Sequence, residues 1–358
     1  MTPAPREPAA SGAPDALAAR FRRFAESECR GSSPLYERLA RSVAGDAEML
    51  ALAAEAPPGQ PTPNLFFAAV HFLLLGAAGA PLAAFYPSLT ETAAAPDGAY
   101  PAFREFCRDH AAAVRRLLAT RRVQTNEVGR CAYLFPAFVT VAREAGDAPL
   151  ALLEIGTSAG LNLMWDRYGY RYGDGVSYGD PRSPVQLSCE LHGADRPPLP
   201  RVMPRVGLVV GVDLAVPDLD DPDDARWLGA LVWPEHHERR AALRGAIEIA
   251  RAARPRLVAG DGLARLPDLL DAVPAGMTAC VFHTHTINQF TAEARERLSA
   301  LVATHGARRD LYRVSAEWLA GPDPRLELVS WRAGRASHRV LGSCHPHGRW
   351  LRWEDRPS

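Results

Sequence analysis

The sequence predicts an α/β protein in which an all-helical domain precedes a mainly parallel sheet that ends in antiparallel strands. Apolar residues recur at helical spacing as far as Glu144, with no convincing strand among them. After Gly146, short apolar runs that end in Gly or Asp alternate with helical stretches, a rhythm typical of parallel strands joined by helices. A chain of 358 residues with 47% hydrophobic content is long enough for two such domains.

The predicted organisation is a disordered lead-in over residues 1–14, a helical cap domain over 15–145 and a sheet domain over 146–358. The lead-in is rich in Pro and Ala and lacks the apolar segment of a targeting signal. The sheet domain carries an insertion over 167–205, where Tyr, Gly, Asp and Pro interrupt the alternation. The amphipathic helices predicted in the cap domain are 15–30, 33–44 and 101–121.

The elements of the sheet domain follow one another in a regular order. The strands predicted to be parallel are 149–155, 206–214, 255–262 with its loop, 278–286 and 309–318. The helices between them are 159–168, 237–253, 263–273 and 292–305. The runs predicted as antiparallel strands are 325–332 and 337–353. Ligands of such sheets bind at the carboxyl ends of the strands, so the residues that follow each strand are the candidates for a site.

The composition argues against nucleic-acid and membrane partners. Basic and acidic residues balance at 41 each, and Arg is scattered rather than gathered into a basic patch. The apolar stretch Leu65–Phe85 is interrupted by His71 and Pro81, and it is predicted as a buried helix rather than a membrane span. The six cysteines form no C-x-x-C motif and are expected to be reduced thiols of a cytoplasmic protein.

The first predicted strand ends in a glycine-rich motif that has two interpretations. Residues 156–160, GTSAG, fit the G-x-S-x-G nucleophile elbow of serine hydrolases, with Ser158 as the nucleophile. Together with Glu154 they also fit E-x-G-x-x-x-G, a loop in which Gly156 and Gly160 let the backbone approach a ligand. The sequence before this strand is predicted to be helical, and the carboxylate of Glu154 stands near the end of the strand. Both features favour the ligand-binding loop.

Acidic residues also end the next two predicted strands, Asp213 in GVDL and Asp261 in AGDGL. This loop and these acids resemble the class I S-adenosylmethionine methyltransferases, whose first motif tolerates E-x-G-T-S-x-G. The resemblance implies a Rossmann-like, methyltransferase-type domain in which the loop 156–160 shapes a site for S-adenosylmethionine. It implies that Glu154 meets the methionine amine directly or through water, Asp213 holds the ribose and Asp261 accepts from the adenine amine. The missing middle glycine disfavours NAD.

The identity of the ribose acid is open at this stage. The acid usually lies roughly 20 residues beyond the loop, and the insertion places Asp213 much further along the chain. Asp174 or Asp180, both within the insertion, would take this role if the second strand of the domain lay there.

Two histidines at the end of the fourth predicted strand are the candidate catalytic residues. His283 and His285 are two residues apart, and on a strand they would share a face. Since His is the usual general base near neutral pH, one of them would deprotonate the methyl acceptor. Asn288 and Gln289 follow as amides that would position this substrate. A hydrogen-bonded strand-end pair is the alternative; a divalent metal site that includes Asp261 is another, but no ligand spacing supports it and no metal is predicted.

Two further segments carry polar side chains with two interpretations each. Asn126, Glu127 and Arg130 stand at the start of a helix, either as a cap with an interdomain contact or as substrate-binding residues that close the pocket from the helical side. The segment 343–350, SCHPHGRW, is predicted as a hairpin turn, although its Cys and His residues are also potential metal ligands.

The chain from about residue 20 onward also resembles a bacterial family of uncharacterised proteins, the domain-of-unknown-function family 2332. The resembling segments are QTNEVGRCAYLFPAF, LLEIGTSAGLNLMWDRYGYRYG, GVDL, DARWLGALVWPEHHERR, VAGDGL and VFHTHTINQF. This family implies no reaction. The sequence therefore predicts methyl transfer to a small-molecule substrate, and the alternative is a non-catalytic ligand-binding or partner subunit with the same fold. The oligomeric state is not indicated.

Overall fold

The computed structural model describes residues 13–77, 79–318 and 321–357. The predicted lead-in lies almost wholly outside this part of the chain, since the first helix begins at Ala13. In the described ranges, no helix is long and apolar enough to cross a membrane. All six cysteines are buried and none forms a disulfide. Burial raises the pKa of each of these thiols, which makes them poor nucleophiles.

By its contacts the chain divides into two compact units. Within the part of the chain that the structure describes, the helical unit comprises the residues up to Thr125 together with Asp221–Arg240. The sheet unit comprises Asn126–Asp220 together with the residues from Ala241 on. The predicted boundary between the two domains was at residue 145. In the structure, the helix just before that residue belongs to the sheet unit, and the later segment Asp221–Arg240 belongs to the helical unit.

The α-helices of the described residues are, in chain order, α1 (Ala13–Arg23), α2 (Pro34–Val43), α3 (Ala47–Ala53), α4 (Thr62–Gly76), α5 (Ala99–Asp109), α6 (Ala111–Thr120), α7 (Cys131–Glu144), α8 (Pro222–Ala230), α9 (His237–Ala253), α10 (Gly262–Asp271) and α11 (Ala292–Gly306). A π-helix continues α1 over Phe24–Cys29. Short 3-10 helices are formed by Pro81–Phe85, Pro96–Gly98, Val128–Arg130, Leu161–Arg167 and Ile287–Gln289. The helix predicted over 101–121 is divided at His110 into α5 and α6.

Aromatic rings fill the core of the helical unit. Phe21 lies edge-on to Phe67 with 5.9 Å between ring centroids, and Tyr36 stacks on the same ring at 4.8 Å. Trp227 of α8 is buried in this core, which explains why the segment that contains α8 belongs to the helical unit. The stretch predicted as one buried helix over Leu65–Phe85 forms two elements, α4 and a 3-10 helix that starts at a proline.

The strands are β1 (Leu150–Ile155), β2 (Gly169–Arg171), β3 (Ser177–Gly179), β4 (Gln186–Ser188), β5 (Glu190–His192), β6 (Val206–Asp213), β7 (Arg256–Ala259), β8 (Thr278–Thr284), β9 (Leu311–Glu317), β10 (Arg325–Arg332), β11 (Arg335–Cys344) and β12 (Trp350–Pro357). Nine of them form one sheet in the order β5-β12-β11-β10-β9-β8-β1-β6-β7. The other three, β2, β3 and β4, form a small sheet within the predicted insertion.

The large sheet confirms the mixed α/β fold with mainly parallel strands. β7, β6, β1, β8 and β9 are parallel to one another, whereas β10, β11 and β12 pair antiparallel, as the sequence predicted. β1 is buried along its whole length and lies between β6 and β8. Strand order therefore reverses at β1, and ligands of open parallel sheets bind at such a reversal.

Two elements at this edge of the sheet differ from their predicted form. The helix predicted over 159–168 is a 3-10 helix over Leu161–Arg167, most of whose side chains are buried, so packing rather than helical periodicity sets its form. The strand predicted to reach residue 286 ends at Thr284, because the next residue, His285, has a left-handed φ of +54°.

Candidate functional site

The turn after β1 contains three residues in the left-handed region of the backbone. φ is +77° at Gly156, +51° at Ser158 and +74° at Gly160. For a serine this conformation costs of order 1–3 kcal/mol, so its surroundings must hold it in place. A Cβ on Gly156 would collide with Thr286, and one on Gly160 would lie 2.7 Å from Leu257. The two glycines therefore let the turn lie against the segments that flank it.

Asp213 ends β6 and bonds to this turn. Its Oδ2 accepts from the backbone N–H of Ser158 at 2.8 Å, and its Oδ1 from that of Ala215 at 3.4 Å. The pairing of β6 with β1 brings the carboxylate to this position. Asp174 and Asp180, the other candidates for the ribose acid, each accept from the backbone N–H two residues further along the insertion. Of the three acids, Asp213 is the one that the structure bonds to the turn.

Glu154 is buried in β1 beneath the turn, with 2% of its surface exposed. The Thr157 hydroxyl donates to its Oε2 at 2.6 Å, and the Asn162 amide donates to its Oε1 at 3.3 Å. Burial raises the pKa of this carboxyl to about 8; both hydrogen bonds and Arg130 oppose the shift, and Asp213 adds to it. Glu154 is therefore largely protonated at neutral pH, and its contacts order the turn.

Asp261, the predicted adenine acid, caps a helix. It follows β7 and is exposed, and its Oδ1 accepts from the backbone N–H groups of Leu263 at 2.7 Å and Ala264 at 3.3 Å. These bonds satisfy two of the four N–H groups that open α10. The position at a strand end agrees with the predicted role, but the capping gives this acid a structural function of its own.

The three residues predicted to bind substrate from the helical side lie in the sheet unit instead. Asn126 accepts, through Oδ1, from the backbone N–H of Leu161 at 3.0 Å, just past the glycine turn. Arg130 donates through Nη1 to both the carbonyl and the hydroxyl of Thr284, each at 3.2 Å. Glu127 accepts, through Oε1, from the backbone N–H of Gly129 in its own segment. This segment therefore bonds to a residue that follows β1 and to the last residue of β8, all within the sheet unit.

Glu127 also connects the segment to the hairpin between β11 and β12. Its Oε2 lies 3.1 Å from Nδ1 of His347 in the hairpin turn. Gly129 and Gly348 pack backbone to backbone, since a Cβ on Gly348 would collide with the Gly129 carbonyl and one on Gly129 with the His347 carbonyl. The hairpin predicted from SCHPHGRW is therefore present, and two glycines allow its close approach.

Residues that the sequence offered as metal ligands in the hairpin turn have other contacts in the structure. Across the described ranges, no group of three or more His, Cys, Asp and Glu side chains is placed to hold a metal ion. His345 Nδ1 accepts from the backbone N–H of His347 at 3.0 Å, which is a contact within the hairpin turn. The Cys344 thiol donates to the Pro324 carbonyl at 3.8 Å.

His283 and Glu317 form a buried pair at the ends of β8 and β9. His283 Nδ1 lies 2.8 Å from Glu317 Oε1, and the two side chains are 0% and 2% exposed. The same oxygen accepts from the backbone N–H groups of Thr286 at 3.0 Å and Ile287 at 3.3 Å. Because Oε1 acts as an acceptor in all three contacts, the His283 proton is assigned to Nδ1.

His285 lies beyond the end of β8 and has different surroundings. Its ring contacts Trp318 at 4.5 Å between centroids, and its Nε2 lies 3.5 Å from the Tyr133 hydroxyl. Burial, with a contribution from Arg130, lowers the pKa of this imidazole well below its usual range, so the ring is neutral. The predicted sharing of one strand face with His283 does not apply, because His285 is outside the strand.

The two amides predicted to position the substrate have different contacts. Gln289 donates through Nε2 to the His285 carbonyl at 3.3 Å and so supports the loop. Asn288 has a buried Oδ1 with no hydrogen-bond partner in the described part of the chain. Asn288 is therefore the amide of the two with an unsatisfied side-chain atom.

The sequence analysis missed several side chains of this region. They are Thr157, Asn162, Thr286, Glu317 and Trp318. Glu317 ends the fifth parallel strand, as Asp213 ends the second. The rule that selected acids at strand ends would have found Glu317 as well, whereas the others carry no comparable signal.

Fold and site define a mixed α/β protein whose polar residues gather where parallel strands end. The chain belongs to the bacterial family described as "Uncharacterized protein conserved in bacteria (DUF2332)", which it matches over residues 18–353. The family resemblance noted from the sequence is thereby confirmed. No curated protein and no solved structure matches the chain. The family description assigns no reaction, so a function is inferred from the residues of the site.

Proposed function

We propose that the sheet unit binds S-adenosylmethionine at the turn after β1 and transfers its methyl group to a small molecule at the end of β8. The parallel strands β7-β6-β1-β8-β9 have the order of doubly wound nucleotide-binding sheets, in which the ligand lies where the order reverses. The glycine turn, Asp213 and His283 all follow strands at or beside this reversal.

The bond between the Ser158 amide and Asp213 supports this choice of ligand. In dinucleotide-binding folds, the amides of this turn and the N-terminus of the next helix face a pyrophosphate. Here the Ser158 amide donates to a carboxylate, and the next helix is a 3-10 helix of seven residues. A carboxylate fixed at the turn repels phosphate and favours hydroxyl groups and positive charge. S-adenosylmethionine has a ribose, an ammonium and a sulfonium, and it has no phosphate.

The residues of the turn match this cofactor in chemistry. Asp213 would accept hydrogen bonds from ribose hydroxyls while it holds the Ser158 amide. Glu154 lies buried beneath the turn, and an ammonium placed nearby would favour its ionised form. Asp261 would meet the adenine amine in addition to capping α10. Gly156 and Gly160 keep the turn in its left-handed form.

His283 would act as the general base in this scheme. Glu317 fixes the ring so that Nδ1 carries the proton and Nε2 presents its lone pair. Both side chains are buried, so water competes little for the acceptor's proton. S-adenosylmethionine, when bound, supplies the activated methyl group, and the residues of the chain orient the acceptor and take its proton.

The same bond argues against Ser158 as a hydrolase nucleophile. Acyl transfer needs backbone N–H groups near this turn to stabilise an oxyanion. A carboxylate that accepts from the Ser158 N–H places negative charge where the reaction would develop more of it. A fluorophosphonate probe is therefore expected not to label the protein; labelling that disappears in Ser158→Ala would favour the hydrolase.

Isothermal titration calorimetry with S-adenosylmethionine tests the proposal. The wild-type protein is expected to bind, and Asp213→Asn to bind roughly 10- to 100-fold more weakly because a charge-assisted hydrogen bond is lost. Asp180→Asn is the matched control, since the Asp180 side chain accepts from the backbone N–H of Arg182 within its own turn, and it should bind like the wild type.

Three results would contradict parts of this account. Absence of binding at millimolar cofactor contradicts the proposal as a whole. Equal affinity of Asp213→Asn and the wild type contradicts the assigned site. Binding without methyl transfer to any acceptor class favours the alternative of a non-catalytic ligand-binding subunit.

A further inference from the structure

Several buried polar atoms without hydrogen-bond partners lie in two short segments at the carboxyl ends of β8 and β9. In the part of the chain that the structure describes, these atoms are His283 Nε2, His285 Nδ1, Asn288 Oδ1, Glu317 Oε2 and Trp318 Nε1. The segments touch through the His283–Glu317 pair and through the contact between the His285 and Trp318 rings. We call these five residues the strand-end cluster. Each unsatisfied buried group costs about 1–3 kcal/mol, so a ligand that bonded to these atoms would recover part of that cost.

Four of these five atoms have a defined hydrogen-bonding character. Trp318 Nε1 can only donate, while Asn288 Oδ1 and Glu317 Oε2 accept. His283 Nε2 is assigned as an acceptor, because the proton of Nδ1 is directed at Glu317. The cluster thus offers three acceptors, one of them a carboxylate oxygen, and one indole donor. A complementary ligand brings several N–H or O–H donors close together.

We propose that the strand-end cluster binds the methyl acceptor and that this acceptor is a small primary amine. A primary ammonium carries three N–H donors for the three acceptors, and its charge complements Glu317. The Trp318 indole adds an aromatic face that attracts cations. An alcohol brings one donor and no charge, and a carboxylate would be repelled. The assignment of methyl transfer rests on the proposed function, whereas amine binding follows from the cluster itself.

The transfer step balances with the residues at hand. His283 Nε2 takes one proton from the bound ammonium and leaves a neutral amine with its lone pair. That pair forms the new N–C bond to the methyl group of the sulfonium donor, while the C–S bond breaks and its electron pair remains on sulfur. The products are a methylated ammonium and a neutral thioether, and His283 then passes its proton to solvent.

Amine binding can be measured without cofactor by saturation-transfer NMR on the full chain. The probes are butylamine, butan-1-ol and butyrate, which share a carbon skeleton and differ in the polar group. Butylamine is expected to bind best. In Glu317→Gln its affinity should fall about tenfold or more, since a charge-assisted hydrogen bond is lost. Glu296→Gln makes the same change at an exposed position of α11 and should leave butylamine affinity unchanged.

Asn288→Asp provides a gain-of-affinity test that a folding defect cannot imitate. The aspartate has the size of the asparagine and adds a second carboxylate near the ammonium, so butylamine should bind more tightly. If circular dichroism shows that Glu317→Gln does not fold, the butylamine affinity of Asn288→Asp tests the inference alone. The inference is overturned if butylamine does not bind, if the three probes bind equally, or if neither variant changes butylamine affinity.

Failure of this inference and failure of the proposed function are distinguishable. If butylamine binds as expected and S-adenosylmethionine does not bind, the methyltransferase proposal fails and the amine site stands. If S-adenosylmethionine binds and butylamine does not, the amine inference fails and the acceptor belongs to another chemical class.

Discussion

Buried histidines have opposite surroundings in the helical unit and in the sheet unit. His71 of the helical unit is fully buried, and both ring nitrogens have partners: the Ala230 carbonyl lies 3.1 Å from Nδ1 and the Ser88 hydroxyl 2.9 Å from Nε2. His283 and His285 are also buried, yet each has one nitrogen without a partner in the described ranges. Burial alone therefore does not distinguish these histidines, whereas the number of ring nitrogens that have hydrogen-bond partners does.

Two unsatisfied buried hydroxyls of the helical unit are of a less costly kind. The hydroxyls of Tyr36 and Tyr86 have no partner within the part of the chain that the structure describes. These phenols are neutral, and their rings pack 6.3 Å apart in an aromatic core. The sheet unit instead leaves a carboxylate oxygen of Glu317 unsatisfied. Burying a carboxylate oxygen without a partner costs more than burying a hydroxyl without one, so the unsatisfied oxygen of Glu317 is the costlier of the two.

The most severe test of this comparison exchanges one histidine in each unit for glutamine. His283→Gln should lower kcat for the proposed methyl transfer by about 10²- to 10⁴-fold, because the proposed general base is lost, with little change in cofactor affinity. His71→Gln should keep kcat and lose about 1–3 kcal/mol of unfolding free energy. The measurements are S-adenosylhomocysteine release and denaturant titration. Equal losses of kcat in the two variants would contradict the distinction.

A second test concerns the glycine turn of the sheet unit. Gly156→Ala forces a side chain into a φ of +77° and into contact with Thr286, so we expect a loss of about 2–5 kcal/mol in unfolding free energy. Gly173→Ala is the matched control, because its φ is also +77° and a Cβ there meets nothing within 4 Å. Chemical denaturation should show a clearly smaller loss for the control. If both variants lose the same amount, packing against Thr286 is unimportant.

A third test uses the buried carboxyl of the sheet unit. The folded-state pKa of Glu154 is about 8 and lies above the ordinary value of 4.5. The folded protein therefore keeps a proton that the unfolded chain releases, and the stability contribution falls as pH rises from about 4.5 to about 8. The unfolding free energy of the wild type should decline relative to Glu154→Gln by up to about 1.4 kcal/mol per pH unit. A difference that stays constant across this window would refute the raised pKa.

The smallest expected effect is the opposite pH dependence of the helical unit. Burial and Arg240 lower the pKa of His71 to about 3, from an ordinary value of 6.5. The unfolded chain therefore takes up a proton first, and the contribution of His71 is present above pH 6.5 and is lost as pH falls towards 3. Relative to His71→Gln, the wild type should gain stability between about pH 5 and 6.5. The slope has the opposite sign to that of Glu154, and a shared sign would contradict one of the two shifts.

The sequence was informative where local pattern decides the structure. The alternation of apolar runs with helical segments predicted the parallel strands, and the rule of acids at strand ends selected Glu154 and Asp213. The domain boundary was harder to predict because α7 is a regular helix whose packing, not its pattern, assigns it to the sheet unit. The pairing of His283 with Glu317 depends on β8 lying beside β9, which is a contact between distant parts of the chain.

Backbone conformation limited the rest of the site prediction. His285 lies one residue beyond a strand end in a left-handed conformation, and nothing in VFHTHT indicates that the strand stops before it. Ser158 adopts the same region of φ, and its bond to Asp213 places a carboxylate at the turn. Such features arise from tertiary packing, and a single sequence does not encode them in a local pattern.

The most direct test of the central claim compares S-adenosylmethionine with NAD in parallel calorimetric titrations of the wild-type protein. The carboxylate of Asp213 on the Ser158 amide predicts that S-adenosylmethionine binds and that NAD, with its pyrophosphate, does not. Binding of NAD at equal or higher affinity would contradict the claim that this turn selects a cationic nucleoside without phosphate.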